Sequence, residues 1–200
     1  MASMSPLATC SRAVALAVGL LLTGGAAEVR AQLTLQEALA GAFPPPATVE
    51  RRTAFLSAQD LNAVQADAGR DAPATQRVVT YYLARQDGKP VGVAYFDNHR
   101  VRTLNEVVMI VVEPGHRGKG GKDRIRSVEV LRFAEPPEYH ASDPWLDQFK
   151  GKSLDPELSL RRSIANMTGA TLTSNAIVRA TRRVLAIHGR IGPFASAAER

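Results

Sequence analysis

Hydroxyl side chains that could bind or carry a phosphate gather in one short stretch, Thr168-Gly169-Ala170-Thr171-Leu172-Thr173-Ser174. Gly169 allows a sharp turn or a close approach to a ligand, and the small Ala170 leaves space beside it. The three threonines offer hydroxyls that can hydrogen-bond a phosphate or serve as attachment points. These residue types therefore allow an anion-binding loop.

A helical pattern follows this hydroxyl loop, from Asn175 to His188. Apolar residues recur at the spacing of one helix face, and arginines occupy the remaining arc. The pattern predicts an amphipathic helix that begins just after Gly169, with Thr173 and Ser174 as N-cap candidates. The positive end of a helix suits a phosphate. Most helix starts rich in Thr and Ser only cap their helix, so the residues by themselves leave both interpretations open.

Two stretches of the chain resemble the FMN-binding domain family, in the family's order. The hydroxyl loop looks like the family's S/T-G-A-T-x-T/S signature. Upstream of it, Trp145-Leu146-Asp147-Gln148-Phe149-Lys150-Gly151-Lys152 is similar to the family's W-x-x-Q-F-x-G-K segment. The family includes flavin-carrying components of the sodium-translocating NADH:quinone reductase and of the Rnf electron-transfer complex. The resemblance covers roughly residues 33 to 188.

The resemblance implies FMN as the cofactor and places its attachment. In the relatives, a separate flavin transferase joins the FMN phosphate through a phosphoester to the threonine that closes the G-A-T triplet, which here is Thr171. The loop residues expected to surround the phosphate are Thr168, Gly169, Ala170, Leu172 and Thr173.

Aromatic residues upstream of the loop are candidates for the walls of the flavin site. An isoalloxazine is a flat, largely apolar plate, so it needs aromatic or aliphatic walls and a few hydrogen bonds. Tyr139, Trp145 and Phe149 could supply them. Trp145 and Phe149 stand four residues apart and would share one helix face, which could equally belong to the core.

The chain departs from its relatives at two places. Relatives usually carry Asp six residues before the acceptor threonine, where this chain has Ala165. Many relatives carry an E-T-P-G-L-G turn ahead of the Trp motif, whereas this chain has Glu135-Pro136-Pro137-Glu138-Tyr139. The first departure bears on the covalent bond, and the second on the local contacts to the flavin.

Other chemical patterns are weak, and we predict no catalytic or metal-binding set. The segment from Val111 to Gly121 looks like the R-G-x-G turn of N-acetyltransferases, but a strand pattern follows it, which predicts an exposed Gly/Lys hairpin loop. The segment from Asp97 to Arg102 could present charges beside a flavin or form a solvated turn between strands. The histidines lack the spacing of metal ligands; they are His99, His116, His140 and His188.

The remaining pattern predicts an α+β fold, an antiparallel sheet of about four or five strands flanked by helices in a single domain. Capping boxes at Thr34 and Ser57 predict two short helices, with a strand between them. Asp87-Gly88 predicts a hairpin turn. The predicted strands are 49–56, 78–83, 91–96, 107–112 and 125–133. We divide the chain into a signal peptide (1–31), an N-terminal helical and strand segment (32–74), the FMN-binding core (75–190) and a C-terminal tail (191–200).

The N-terminus predicts export. Arg12 precedes an apolar run, and Val29-Arg30-Ala31 resembles a signal-peptidase site. We predict cleavage after Ala31, with Ala27 as the second choice, and a periplasmic or other extracytoplasmic location. An uncleaved anchor is the alternative. The sole cysteine, Cys10, lies ahead of the cleavage site, so the mature chain would lack disulfides and thiolate-bound clusters. The formal net charge of +6 is moderate, and export argues against a nucleic-acid partner.

These observations predict an exported FMN-binding electron carrier rather than a stand-alone enzyme, with flavin attached at Thr171. Its partners would be redox proteins, which could be membrane-bound, and a flavin transferase for maturation. Two alternatives stay open: a flavin-dependent reductase of a small substrate, and an accessory or structural module of a membrane redox complex that holds no flavin.

Overall fold

The computed structural model describes residues 33–115 and 121–195. The predicted signal peptide, the tip of the Gly/Lys loop at 116–120 and the end of the predicted tail at 196–200 lie outside the described residues. The elements, in chain order, are α1 (Leu35–Ala42), β1 (Thr48–Phe55), α2 (Ala58–Ala68), β2 (Val78–Gln86), β3 (Lys89–Arg100), β4 (Asn105–Glu113), β5 (Arg124–Phe133), α3 (Asp143–Leu146) and α4 (Thr171–Ile191). Short 3-10 helices at Pro137–Tyr139 and Asp147–Phe149 flank α3.

The first two helices begin with the predicted capping boxes. The Thr34 side chain accepts a hydrogen bond from the Glu37 N–H, and the Glu37 carboxylate accepts one from the Thr34 N–H. Ser57 and Asp60 make the same reciprocal pair at α2. Each pair satisfies two backbone donors at a helix start.

The five strands form one antiparallel sheet in the order β1-β2-β3-β4-β5, which confirms the predicted fold class. Asp87 and Gly88 both have positive φ at the tip of the β2–β3 hairpin, as a tight two-residue turn requires. Four of the strands, β2, β3, β4 and β5, are longer than predicted, whereas β1 has the predicted length and is shifted by one residue. In particular, β3 extends through Arg100 and β4 begins at Asn105, so a short turn at 101–104 joins them.

The sheet buries apolar side chains on both faces, and each fully buried Val, Leu or Ile contributes about 1.5–3 kcal/mol. One face packs against α2 and α4 through a cluster that includes Val93, Val108, Ile110, Val64 and Ile177. The other face packs against α1 through a cluster that includes Leu39, Phe43, Met109 and Val111. Phe43 crosses so close to the strand that a Cβ at Gly92 would lie 2.7 Å from its ring.

The longest helix, α4, has 21 residues; it begins at Thr171, just after Gly169 as predicted, and continues past His188 to Ile191. It ends at a left-handed Gly192, and Phe194 of the predicted tail folds back to pack on the His188 ring, with 5.1 Å between the ring centroids. Within the described part of the chain, no helix is both long and apolar enough to cross a membrane. The described residues form one compact unit.

Candidate functional site

A pocket of about 290 Å³ opens at the N-terminus of α4. Five of its lining residues come from the hydroxyl loop, and the other two are Tyr139 and Arg102. The complete lining is Arg102, Tyr139, Gly169, Ala170, Thr171, Leu172 and Thr173. The fold therefore brings six of the nine predicted site residues to one pocket. Thr168 is exposed next to it, and Trp145 and Phe149 are buried elsewhere.

The hydroxyl loop turns into the helix at Gly169, whose φ of 81° favours glycine. The helix begins at Thr171 with Ala170 as its N-cap residue, so the prediction of Thr173 and Ser174 as N-caps was wrong. Both hydroxyls are used differently. Thr173 Oγ1 donates to the Tyr139 carbonyl at 2.8 Å, and Ser174 Oγ donates to the Ala170 carbonyl at 3.0 Å.

The first turn of α4 consequently has no side-chain cap. The first backbone N–H groups of any helix have no acceptor within the helix, and at α4 they belong to residues that line the pocket. These groups and the positive end of the helix dipole face a space that suits an anion.

The three threonines of the loop, chemically alike in the sequence, differ in their surroundings. Thr173 is 1% exposed and its hydroxyl is bound to Tyr139. Thr171 is exposed, lines the pocket, and accepts a hydrogen bond from Asn166 Nδ2 at 3.0 Å. Because Asn166 occupies an acceptor site, the hydroxyl proton of Thr171 remains free to point elsewhere. Thr168 is exposed but does not line the pocket.

The Trp motif holds the chain that leads into the loop. Trp145 Nε1 donates to the Ala165 carbonyl at 2.6 Å, and Gln148 Oε1 accepts from the Ala165 N–H at 2.8 Å. Both polar groups of the Ala165 backbone are therefore fixed by side chains of one short helical segment. The Trp145 ring packs edge-on against Phe149 at 5.4 Å. In this arrangement the two aromatics support the loop from the core, and neither lines the pocket.

A turn between β3 and β4 brings Arg102 to the pocket. Glu135 Oε1 accepts hydrogen bonds from the N–H groups of Arg102 at 3.1 Å, Thr103 at 2.7 Å and Leu104 at 2.8 Å. The N–H groups of Leu104 and Thr103 are the main reason that the pKa of Glu135 lies below its usual value. The Arg102 guanidinium lies 5.2 Å from the centroid of the Tyr139 ring.

The sequence left the role of this turn open between charges beside a flavin and a solvated connection. The prediction of a solvated turn was wrong for 97–100, which belong to β3 and include the largely buried Asp97 and His99. Only 101–104 connects the strands, and Arg102 from this connection lines the pocket. The contact with Glu135 spans more than thirty residues, so local spacing could not reveal it.

A second polar cluster lies under the middle of α4 and does not line the pocket. Asp97 pairs with Arg183 at 2.7 Å and with His99 Nδ1 at 2.9 Å, and His99 Nε2 contacts Glu106 Oε2 at 2.8 Å. Burial lowers the pKa of His99, but the hydrogen bonds and charges of Asp97 and Glu106 outweigh it and raise that pKa to about 8. Within residues 33–115 and 121–195, no group of three His, Cys, Asp or Glu side chains could hold a metal ion.

Comparison with known families gives one match, and it covers this site. Residues 116–186 match the sequence model of the FMN-binding domain. The match spans the Trp motif, the hydroxyl loop and every pocket residue except Arg102. No curated protein and no solved structure matches the chain. Residues 116–186 of this chain are thus similar to the FMN-binding domain family, and the matched segment contains the start of α4.

Proposed function

We propose that this protein is an exported electron carrier that holds FMN in the pocket at the start of α4. One observation carries the proposal. The segment that matches the family model contains a helix start that has no side-chain cap and lines a pocket. FMN, when bound, supplies the redox chemistry by accepting and releasing electrons. The protein binds, orients and shields it, and redox partner proteins exchange the electrons.

The lining of the pocket fits the two chemical parts of FMN. The backbone N–H groups of the first turn and the hydroxyl of Thr171 suit the phosphate. Leu172, which is 50% exposed at the pocket, and the Tyr139 ring offer apolar surface for the isoalloxazine. No comparable set of donors and apolar surface is needed to cap a helix, since a hydroxyl and a carboxylate suffice at α1 and α2.

We propose Thr171 as the point of covalent attachment. Its Oγ1 would form a bond to the FMN phosphorus of a flavin dinucleotide, the phosphoanhydride would break, and a nucleoside monophosphate would leave. A flavin transferase would take the hydroxyl proton. Two features support Thr171 over its neighbours: its hydroxyl is exposed and lines the pocket, whereas that of Thr173 is buried and bound to Tyr139.

The test is fluorescence under ultraviolet light of a denaturing gel of protein exported by its native host. We expect wild type to show fluorescence that survives denaturation, Thr171→Val to lose it, and Thr173→Val to keep it. Covalent flavin in Thr171→Val would show that the attachment site is wrong. If wild type has no covalent flavin, we expect Ala165, in place of the relatives' Asp, to be the cause, and Ala165→Asp should then restore the bond. Absence of covalent flavin in that variant too would contradict covalent attachment.

A further inference from the structure

We infer that Arg102 gives this site its preference for a flavin that carries a phosphate, and that Glu135 is the residue that positions it. The inference rests on the proposed FMN-binding function and adds a recognition residue outside the matched segment, which begins at residue 116. The chemical group recognised is the phosphomonoester, the part by which FMN differs from riboflavin.

Arg102 is the one charged side chain among the described residues that line the pocket. It enters from the β3–β4 turn, whereas the uncapped N–H groups enter from α4, so the two lie on separate elements around the same space. Backbone N–H groups alone bind an oxyanion through partial charges. A guanidinium adds a full positive charge and paired N–H donors that match phosphate oxygens.

The position of Arg102 is fixed at its backbone by Glu135. The carboxylate of Glu135 accepts three consecutive N–H groups, from Arg102 to Leu104, and is 8% exposed. Its acceptor oxygen is therefore occupied by backbone donors, which leaves the guanidinium available to a ligand. A turn fixed at three points also lowers the conformational entropy lost when the ligand binds.

The side chain of Arg102 is held by Tyr139. The guanidinium carbon lies over the Tyr139 ring, 5.2 Å from its centroid, and an arginine placed over an aromatic face keeps N–H groups free for an acceptor. Tyr139 is itself tied to the first turn of α4, because its carbonyl accepts the Thr173 hydroxyl at 2.8 Å. The contacts thus form a continuous path around the pocket: Glu135, the 102–104 turn, Arg102, Tyr139 and Thr173.

This path includes the segment in which the chain departs from its relatives. Glu135-Pro136-Pro137-Glu138-Tyr139 stands where many relatives carry E-T-P-G-L-G, and Tyr139 supplies the ring over which the Arg102 guanidinium lies. The segment that differs from the relatives is thus the one that contacts Arg102. We therefore expect this contact to be a feature of this chain rather than of relatives with the E-T-P-G-L-G turn.

The experiment compares ligands rather than measuring binding of FMN alone. The full exported chain is produced in a host without a flavin transferase, and dissociation constants are measured by fluorescence titration with FMN and with riboflavin. We expect wild type to prefer FMN. Arg102→Gln should weaken FMN by about 10- to 100-fold, the range expected for a charged hydrogen bond, and change riboflavin affinity by less than about twofold.

Three further variants separate charge, position and surface effects. Arg102→Lys keeps the charge and should recover part of the preference. Glu135→Gln should reduce the preference in the same direction but less. Arg100→Gln is the matched control, since Arg100 is an exposed arginine two residues away that does not line the pocket, and it should behave as wild type. Inorganic phosphate should compete with FMN less effectively in Arg102→Gln than in wild type.

The outcomes distinguish this inference from the proposed function. If wild type binds neither flavin, the proposed function fails and takes the inference with it. If wild type binds FMN and Arg102→Gln weakens both flavins equally, or neither, only the inference is overturned. Equal behaviour of Arg102→Lys and Arg102→Gln would overturn the charge as the cause, and an unchanged preference in Glu135→Gln would overturn its positioning role.

Discussion

The two ends of α4 are built in opposite ways. Its later turns are tied to the rest of the fold: Arg182 donates to the carbonyls of Ala68 and Leu158, Arg183 pairs with Asp97, and His188 contacts Tyr95 and Asp123 at 3.0 Å each. Its first turn has no capping side chain. The later turns of α4 are thus bound to neighbouring elements, whereas its first turn presents backbone N–H groups to a pocket.

The later turns of α4 thus serve stability, whereas its first turn is available for the proposed binding site. At α1 and α2 the fold satisfies the first N–H groups with capping boxes, each worth about 0.5–2 kcal/mol. At α4 the hydroxyls of Thr173 and Ser174 could have served the same purpose, yet both bind carbonyl groups instead. At α4 the fold forgoes a side-chain cap where the helix start lines a pocket, and contacts of the later turns stabilise that helix.

The largest loss of stability is expected from a change at Trp145, which holds the chain that leads into the start of α4. Trp145→Ala should lower the free energy of unfolding by about 3–5 kcal/mol, because it leaves a cavity beside Phe149 and releases the Ala165 carbonyl. Chemical denaturation measures it. Trp145→Phe is the control: it keeps most of the packing and loses the indole N–H, so it should cost about 1 kcal/mol.

This prediction also decides the role of Trp145. If Trp145 supports the loop from the core, flavin absorbance in the folded Trp145→Phe protein should match wild type. A stable variant with an altered flavin spectrum would instead place the ring against the isoalloxazine.

The pH dependence of stability should come from the cluster of Asp97, His99, Glu106 and Arg183. Because the pKa of His99 is raised to about 8, its stabilisation is fully present below the unfolded pKa of about 6.5 and is lost as the pH rises through about 8. A shift of this size corresponds to about 2 kcal/mol. The charges that face His99 are Asp97 and Glu106, with Arg183 bound to Asp97.

Denaturation of wild type and His99→Gln at several pH values between about 6 and 9 measures this contribution. The difference in stability between the two proteins should shrink as the pH rises, while the affinity for FMN stays the same in both. A difference that grows with pH would contradict the raised pKa, and a change in FMN affinity would contradict the separation of the two regions.

The smallest effects are expected within the first turn itself. Thr173→Val should cost about 1–2 kcal/mol, because it leaves the partly buried Tyr139 carbonyl without its hydroxyl partner. Thr171→Val should change stability by less than about 0.5 kcal/mol, because the side chain is exposed. Thermal unfolding of the two flavin-free variants compares them directly. Equal losses would mean that Thr171 has a structural role.

The sequence predicted the sheet and the loop because their signals are local. Alternating β-branched residues and Asp87-Gly88 define strands and a turn within a few positions. The N-cap prediction failed because Thr173 binds a carbonyl 34 residues away. Trp145 and Phe149 have the same spacing whether they face a ligand or the core, so only the fold distinguishes the two. Arg102 reaches the pocket through a carboxylate far along the chain, and no spacing encodes that contact.

The role of Glu106 depends on strand pairing, because its partner His99 stands seven residues earlier and lies opposite it on β3. Glu106 is fully buried at the start of β4, where a charged residue is not expected, and its place is explained by His99 on the neighbouring strand. Among the described side-chain atoms, Glu106 Oε1 is buried without a hydrogen-bond partner. Polar side chains paired across strands leave no periodic pattern in a sequence.

The indole of Trp145 also makes the protein its own optical sensor. It is the sole tryptophan of the chain, and its N–H is bound to the carbonyl of Ala165, six residues before Thr171. Its emission therefore reports on the backbone that leads into the hydroxyl loop, without any dye or added label. Because indole emission overlaps flavin absorption, FMN added to the protein can be followed in real time as quenching by energy transfer. The kinetics of cofactor binding can thereby be measured on the unlabelled protein.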